Sequence, residues 1–286
     1  MPKVIQKVCQ VNCKSYFCSH KHQVMIYFST HFHIQQVPSY RLVVKADYGL
    51  DEIAIIDSDS QLMAYVRYQK GESVGREAEK LLGFPFPEVD VYLPHFSGVL
   101  TPGELFDESY KEEYQKFLLK EDTSTQKSTF LKDWDVYLSY ELDELIYLRW
   151  SKLYPHARLI PKVVPFLEAL FPLSREGAVV GLCFHEKFVD VCLVRDGALQ
   201  LINTFEYSSD QDLRYYLLSL QKQSGLDGPF DRLVTQGDSF ERREWMDGFA
   251  QQVHPLKNGI ACEELEDDDV KKKVENLLYP KVLCES

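Results

Sequence analysis

Hydrophobic positions past residue 40 fall into short apolar, β-branched runs separated by tight polar turns, a pattern that predicts strands before it predicts helices. Residues 41–46, 52–56 and 62–67 read as three successive strands, with Asp57-Ser58-Asp59-Ser60 as the second turn. A short helix follows at 73–82, opened by Ser73 and closed by Gly83, and then a strand at 89–93. The same order returns later. Residues 178–184, 188–194 and 199–205 make a second three-strand meander with Asp196-Gly197 at its hairpin turn, because glycine tolerates the positive φ that such turns require. Ser209 and Asp212 then form a capping box, and Leu213, Tyr216, Leu217 and Leu220 fall on one helical face that ends at Gly225. A strand at 232–235 completes the second copy. Leu42 and Val179 stand 137 positions apart and Asp59 and Gly197 stand 138 apart, so one spacing relates the two meanders along their whole length.

Between the copies, 135–138 and 158–160 read as strands, 141–153 and 163–170 as helices, and the polar stretch 121–129 as a loop. Thr101, Pro102 and Glu104 have the residue types of a helix start. The alternation predicts an α/β protein of two lobes, each built on one copy of the unit.

Charge divides the chain differently. Residues 1–40 contain no Asp or Glu, yet hold three of the seven cysteines and four of the eight histidines. Four of the 32 basic residues lie there, leaving 28 against 44 acidic residues in the remainder. The predicted organisation is therefore a disordered N-terminal extension at 1–39, a first lobe at 40–172, a second lobe at 173–258 and an acidic C-terminal tail at 259–286. Cys9, Cys13, Cys18, His20 and His22 offer zinc-type donors, but their spacing matches no paired Cys-x-x-Cys arrangement, so no metal site is expected.

A net charge of -12 argues against a nucleic-acid groove, which needs clustered Lys and Arg against phosphate. No apolar run reaches 18 residues, and the first residues lack the order of a secretion signal, so a cytoplasmic protein with no direct membrane insertion is expected.

A meander, helix and strand used twice, with a strand-helix-strand-helix crossing between, resembles the actin-like ATPase superfamily. The resemblance implies a duplicated RNase H-like fold with mixed five-stranded sheets, near that of the pilus assembly protein PilM and the cytoplasmic domain of the secretion protein GspL. Leu100-Thr101-Pro102 with Leu105-Phe106-Asp107, and Asn203-Thr204-Phe205 with Tyr207, Asp212, Tyr215 and Tyr216, are similar to the signatures of domain of unknown function 3822, a family of uncharacterised Bacteroidetes proteins. This likeness covers about 39–256.

In active members of the superfamily, the turn after the first strand of each lobe brings backbone N–H groups and a carboxylate to the phosphates and metal of ATP. Here that implies Asp47, Gly49, Glu186 and Gly237 as the candidate nucleotide-binding residues. The match is partial. Leu50 stands where a hydroxyl would follow, and His185-Glu186-Lys187 contains no glycine, although a Cβ hinders close wrapping of a phosphate. Asp47 and Gly49 also suit an ordinary hairpin turn.

No other catalytic constellation emerges. Cys183 and Cys192 lie in apolar strands, and His95, His156 and His254 are scattered. The expectation is a pseudo-enzyme, a non-catalytic interaction or scaffold module with a protein partner and no cofactor. The alternative is a divergent ATPase or kinase using ATP and magnesium between the lobes.

Overall fold

The structure, a computed structural model, describes residues 25–69, 76–110, 113–114, 116–118, 124–185, 188–237, 243–256, 259–262, 265, 267–275 and 277. Its strands are β1 Met25–Phe28, β2 Arg41–Ala46, β3 Leu50–Ile56, β4 Leu62–Gln69, β5 Glu88–Leu93, β6 His95–Pro102, β7 Ser124–Leu131, β8 Val136–Asp143, β9 Arg158–Pro161, β10 Ala178–Phe184, β11 Phe188–Arg195, β12 Ala198–Glu206, β13 Phe230–Gln236 and β14 Ala250–Pro255. The helices are α1 Arg76–Leu82, α2 Glu144–Leu153, α3 Val163–Leu170, α4 Asp210–Gln223, α5 Arg243–Met246 and α6 Asp268–Glu275.

The duplication is visible in the strand order. One sheet runs β4-β3-β2-β5-β9 with β1 added at its edge, and the other runs β12-β11-β10-β13-β14. In each, the first strand of the copy pairs antiparallel with the second strand and parallel with the fourth. Parallel strands buried on both faces need nearly continuous apolar sequence, and every residue of β10 is buried.

The helix α3 lies between the two sheets. Alternate residues of β10 meet it, and a Cβ at Gly181 would stand 2.8 Å from Phe166 Cε1 and 3.0 Å from Leu170 Cδ2. The opposite face of β10 joins α4 in a separate core containing Val180, Leu182, Leu213, Leu217 and Phe230. The capping box at Ser209 and Asp212 is formed, and Asp196 and Gly197 both have positive φ.

Several expectations are corrected. The extension assigned to 1–39 contains ordered structure from residue 25 onward. Met25–Phe28 pairs antiparallel with β4, and Val37 is buried. The composition boundary marks a change in charge, whereas β4 offers this apolar tetrapeptide an open ladder. The acidic tail at 259–286 likewise includes α6, whose Val270 and Val274 join Leu277 in the first lobe's core. Ala261 bridges to Gln61 in parallel, which returns the chain to the first lobe.

Thr101 is in β6 rather than at a helix start, since pairing with β8 satisfies its backbone. A 3-10 turn at Gly103–Leu105 follows. The loop expected at 121–129 is mostly β7, which pairs with β8 along its full length. Helix α2 starts at Glu144, three residues later than predicted, because the Asp143 carboxylate caps it by accepting from Ile146 N at 2.8 Å.

Strands β6, β8 and β7 form a third sheet that has no counterpart in the second copy among the described residues. A Cβ at Gly98 of β6 would lie 3.7 Å from Ile202 of β12, so this sheet meets the edge strand of the second lobe.

Candidate functional site

The C-terminal ends of β2, β5, β9, β10 and β13 converge between the lobes, the region where open α/β sheets place their ligands. Lys45, Tyr92, Lys162, Pro165, Cys183, Phe184, His185 and Gln236 surround a void of about 20 Å³ there. That volume suits a single water. Ligand pockets for small molecules span roughly 300–1,000 Å³.

Asp47 follows β2 and its carboxylate is ion-paired with the Lys162 ammonium. The lysine lies at the junction of β9 and α3, where its backbone N–H donates to Leu93 O at 2.9 Å. Asp47 also closes its own turn by accepting from Tyr48 N at 2.8 Å. Burial pushes the Asp47 carboxyl up, but the Lys162 charge and hydrogen bond bring it below the ordinary carboxylate value. Burial has the opposite effect on Lys162 and leaves its ammonium below the usual lysine range despite Asp47. Lys45 has a separate partner, Glu52, 3.3 Å away on the facing residue of β3. The Tyr65 hydroxyl donates to Glu52 at 2.8 Å.

Across the void, His185 ends β10. Its Nε2 lies 2.7 Å from Asp190 Oδ2, while Thr204 Oγ1 donates to Asp190 Oδ1 at 2.7 Å. His95 comes from β6, outside the second lobe, and its Nε2 stands 3.7 Å from Asp190 Oδ1. Asp190 is fully buried. Burial would raise its carboxyl, but the two imidazoles and the donors around it hold it well below the usual range. Burial lowers His95 and outweighs the opposing Asp190 charge. The Cys183 thiol is pushed far up by burial and then by Asp190, so it is no ready nucleophile.

Of the four residues expected at a nucleotide, Asp47 borders this region and is engaged by Lys162. Gly49 has no atom within 4 Å of a built Cβ, whereas Gly237 has φ +90 and would place a Cβ 2.6 Å from Phe184 O. Its glycine is thus required by backbone packing. Glu186 lies outside the described residues, as do the N-terminal cysteines and His20 and His22. His156 instead contacts Phe86 O at 2.9 Å, and His254 contacts Gln252 at 3.1 Å, both away from the cleft.

Asp190 and Lys162 were not singled out from sequence. A charged residue on the inward face of the apolar run Phe188–Arg195 was the available signal for Asp190. Lys162 carried none, since its partner is 115 residues away.

A roomier concavity of about 450 Å³ lies on the first lobe, where the segment after β1, the turn between β3 and β4, and the returning C-terminal chain meet. Ser29, His31, Gln36, Asp57 and Gln61 are among its walls.

Comparison with solved structures supports the fold. A Bacteroides thetaiotaomicron protein of actin-like ATPase fold and unknown function aligns with TM-score 0.67 and 20% identity, covering 79% of this chain and 93% of its own. PilM in the PilM–PilN type IV pilus biogenesis complex aligns with TM-score 0.56 and 10% identity, covering 83% and 95%. No curated protein sequence matches the chain. The two sheets with one strand order are therefore an actin-like ATPase fold, and because its family model matches residues 29–249, the chain belongs to the proteins of unknown function DUF3822.

Proposed function

We propose that this protein is a non-catalytic interaction or scaffold module that retains the two-lobed fold of the actin-like ATPases and binds a protein partner on its surface. The observation that carries the reading is the cleft itself. Lys162 reaches Asp47 in the position where a phosphate-binding turn would open, and the surrounding side chains leave about 20 Å³. Opening that space for a triphosphate requires breaking a half-buried ion pair, and the His185 turn has no glycine with which to wrap an anion.

The partner reading rests on the segment between β6 and β7 and its contact with the third sheet. Phe106 stacks on Tyr137 with centroids 3.7 Å apart, and Tyr114 and Phe130 flank them. In the same segment Leu105, Tyr110 and Phe117 are exposed, Phe117 by 77%. Apolar side chains grouped in this way mark protein contacts. The similarly folded PilM is found in a complex with PilN, in keeping with a protein as the occupant.

Calorimetry and thermal shift with ATP and magnesium test the first half. The reading expects no response at millimolar nucleotide. A saturable response lost in Asp47→Ala would instead establish the alternative, a divergent ATPase or kinase. Cross-linking in cells tests the second half: a reproducible protein partner is expected with the wild type and is lost in Leu105→Glu/Phe117→Glu. Equal recovery with that variant would remove the segment between β6 and β7 from the reading.

A further inference from the structure

We propose that Cys183, His185 and Asp190 form a buried binding site for a soft divalent transition metal of the zinc class, at the junction of the two lobes. Sequence spacing alone does not reveal it, because the donors come together only through strand pairing. Cys183 of β10 is the direct cross-strand partner of Asp190 in β11, and Asp190 is the partner of Thr204 in β12. Paired residues project on the same face of a sheet. His185 is two positions beyond Cys183, so the strand alternation continues toward that face.

One donor atom from each of Cys183, His185 and Asp190 lies within 4.8 Å of the others. Zinc bonds of about 2.0–2.3 Å place tetrahedral donors roughly 3.5 Å apart, so side-chain rotations of about 1 Å close the set around an ion. A thiolate, an imidazole and a carboxylate are donors that zinc accepts, and the sulfur disfavours magnesium and calcium.

His185 supplies an independent observation. With Nε2 turned to Asp190, its Nδ1 is buried and makes no hydrogen bond among the described residues. Buried polar atoms are normally satisfied, and an unpaired nitrogen on a ring that belongs to a Cys-His-Asp cluster is an open donor for an ion. Whichever nitrogen binds, Asp190 can serve as ligand or as the carboxylate that orients the ring.

The fourth position has two sources. His95 reaches from β6 to within 3.7 Å of Asp190, and the void bordered by Cys183 and His185 has room for one water. If His95 binds, the ion ties the third sheet to the second lobe. Binding releases the Cys183 proton to solvent, and the resulting thiolate with the Asp190 carboxylate balances a divalent charge. Lys45 and Lys162 stand nearby, but each is already matched by Glu52 or Asp47.

The test uses the full chain carrying Cys9→Ser, Cys13→Ser and Cys18→Ser, which removes competing N-terminal thiols. Cobalt titration, read by its thiolate charge-transfer absorption, and zinc competition against a chromophoric chelator are expected to give one equivalent bound. Cys183→Ser abolishes the charge-transfer band, and His185→Gln weakens zinc by at least about 100-fold. His95→Gln weakens it by about 10- to 100-fold if the ring is a ligand or its support. Should Cys183→Ser not fold, His185→Gln decides, because its ring is partly exposed and its loss leaves the strand core intact. Absence of stoichiometric binding, or binding that His185→Gln leaves unchanged, overturns the proposal.

Discussion

Replacing Lys162 by Met keeps the buried stem and removes the charge that closes the cleft. The Lys162 side chain is 5% exposed and Asp47 is 29% exposed, so the pair lies between two measured extremes. Removing one member of a fully buried pair costs about 3–5 kcal/mol, and breaking a surface pair about 0–1 kcal/mol. Asp47 can recover some water and keeps its bond from Tyr48, which places Lys162→Met near 2 kcal/mol of lost stability. For a protein of this size that corresponds to a fall of roughly 3–4 °C in Tm.

The Asp47→Asn/Lys162→Met double variant leaves no orphaned charge and should cost less than the sum of the single changes. Denaturant unfolding of all four proteins gives the coupling directly, and about 1 kcal/mol or more is expected. Coupling below about 0.5 kcal/mol would refute the reasoning, because Lys162 would then be a bystander to Asp47 rather than its lock.

Other expectations follow from the same geometry. Gly237→Ala puts a Cβ 2.6 Å from a backbone oxygen at positive φ and should cost at least about 2 kcal/mol in denaturant unfolding, whereas Gly49→Ala, with open space around it, should change stability by less than about 0.5 kcal/mol. Leu277→Ala should cost about 2–3 kcal/mol, since Leu277 is fully buried; a solvated tail would show no change. Stability should also fall on acidification below pH 6.5. Burial lowers the folded His95 below its ordinary value of 6.5, so the unfolded chain takes up that proton first; the contribution is complete above 6.5 and is lost as pH falls toward the folded value. One proton gives a slope of at most about 1.4 kcal/mol per pH unit, and His95→Gln should flatten this window in unfolding curves measured from pH 8 to 5. Asp190, held low, adds a second loss only below its ordinary value of 3.8.

The repeated strands were legible because burial on both faces leaves a nearly continuous apolar signature, as in β10 and β11. Local chemistry was equally readable at Ser209, Asp196 and Gly197, where the residue type itself creates the cap or turn. Legibility failed where a strand depends on its neighbours. The sequence of β7, Ser124–Leu131, is polar and β1 has only four residues, so each becomes a strand through the ladder offered by β8 or β4. Thr101 failed in the opposite sense: a sound local helix signal was overridden by pairing across β6 and β8.

The candidate site shows the same division at closer range. Each phosphate turn can be inspected as a string, and the weak glycine content around His185 is visible there. What occupies the cleft is not, because Lys162 comes from the β9–α3 junction and meets Asp47 only after the first sheet has formed. A lysine before an apolar helix reads as an ordinary solvated residue. Asp190 is the informative exception, since an acid placed inward in an apolar strand must be satisfied, and the fold answers with Thr204, His185 and His95 from three separate elements. The duplicated scaffold therefore holds two polar assemblies, Asp47 with Lys162 and Asp190 with its histidines, on opposite sides of a void of about 20 Å³. Since the strands that carry them are fixed by apolar burial, the chemistry between the lobes could change while the sheet order stayed the same.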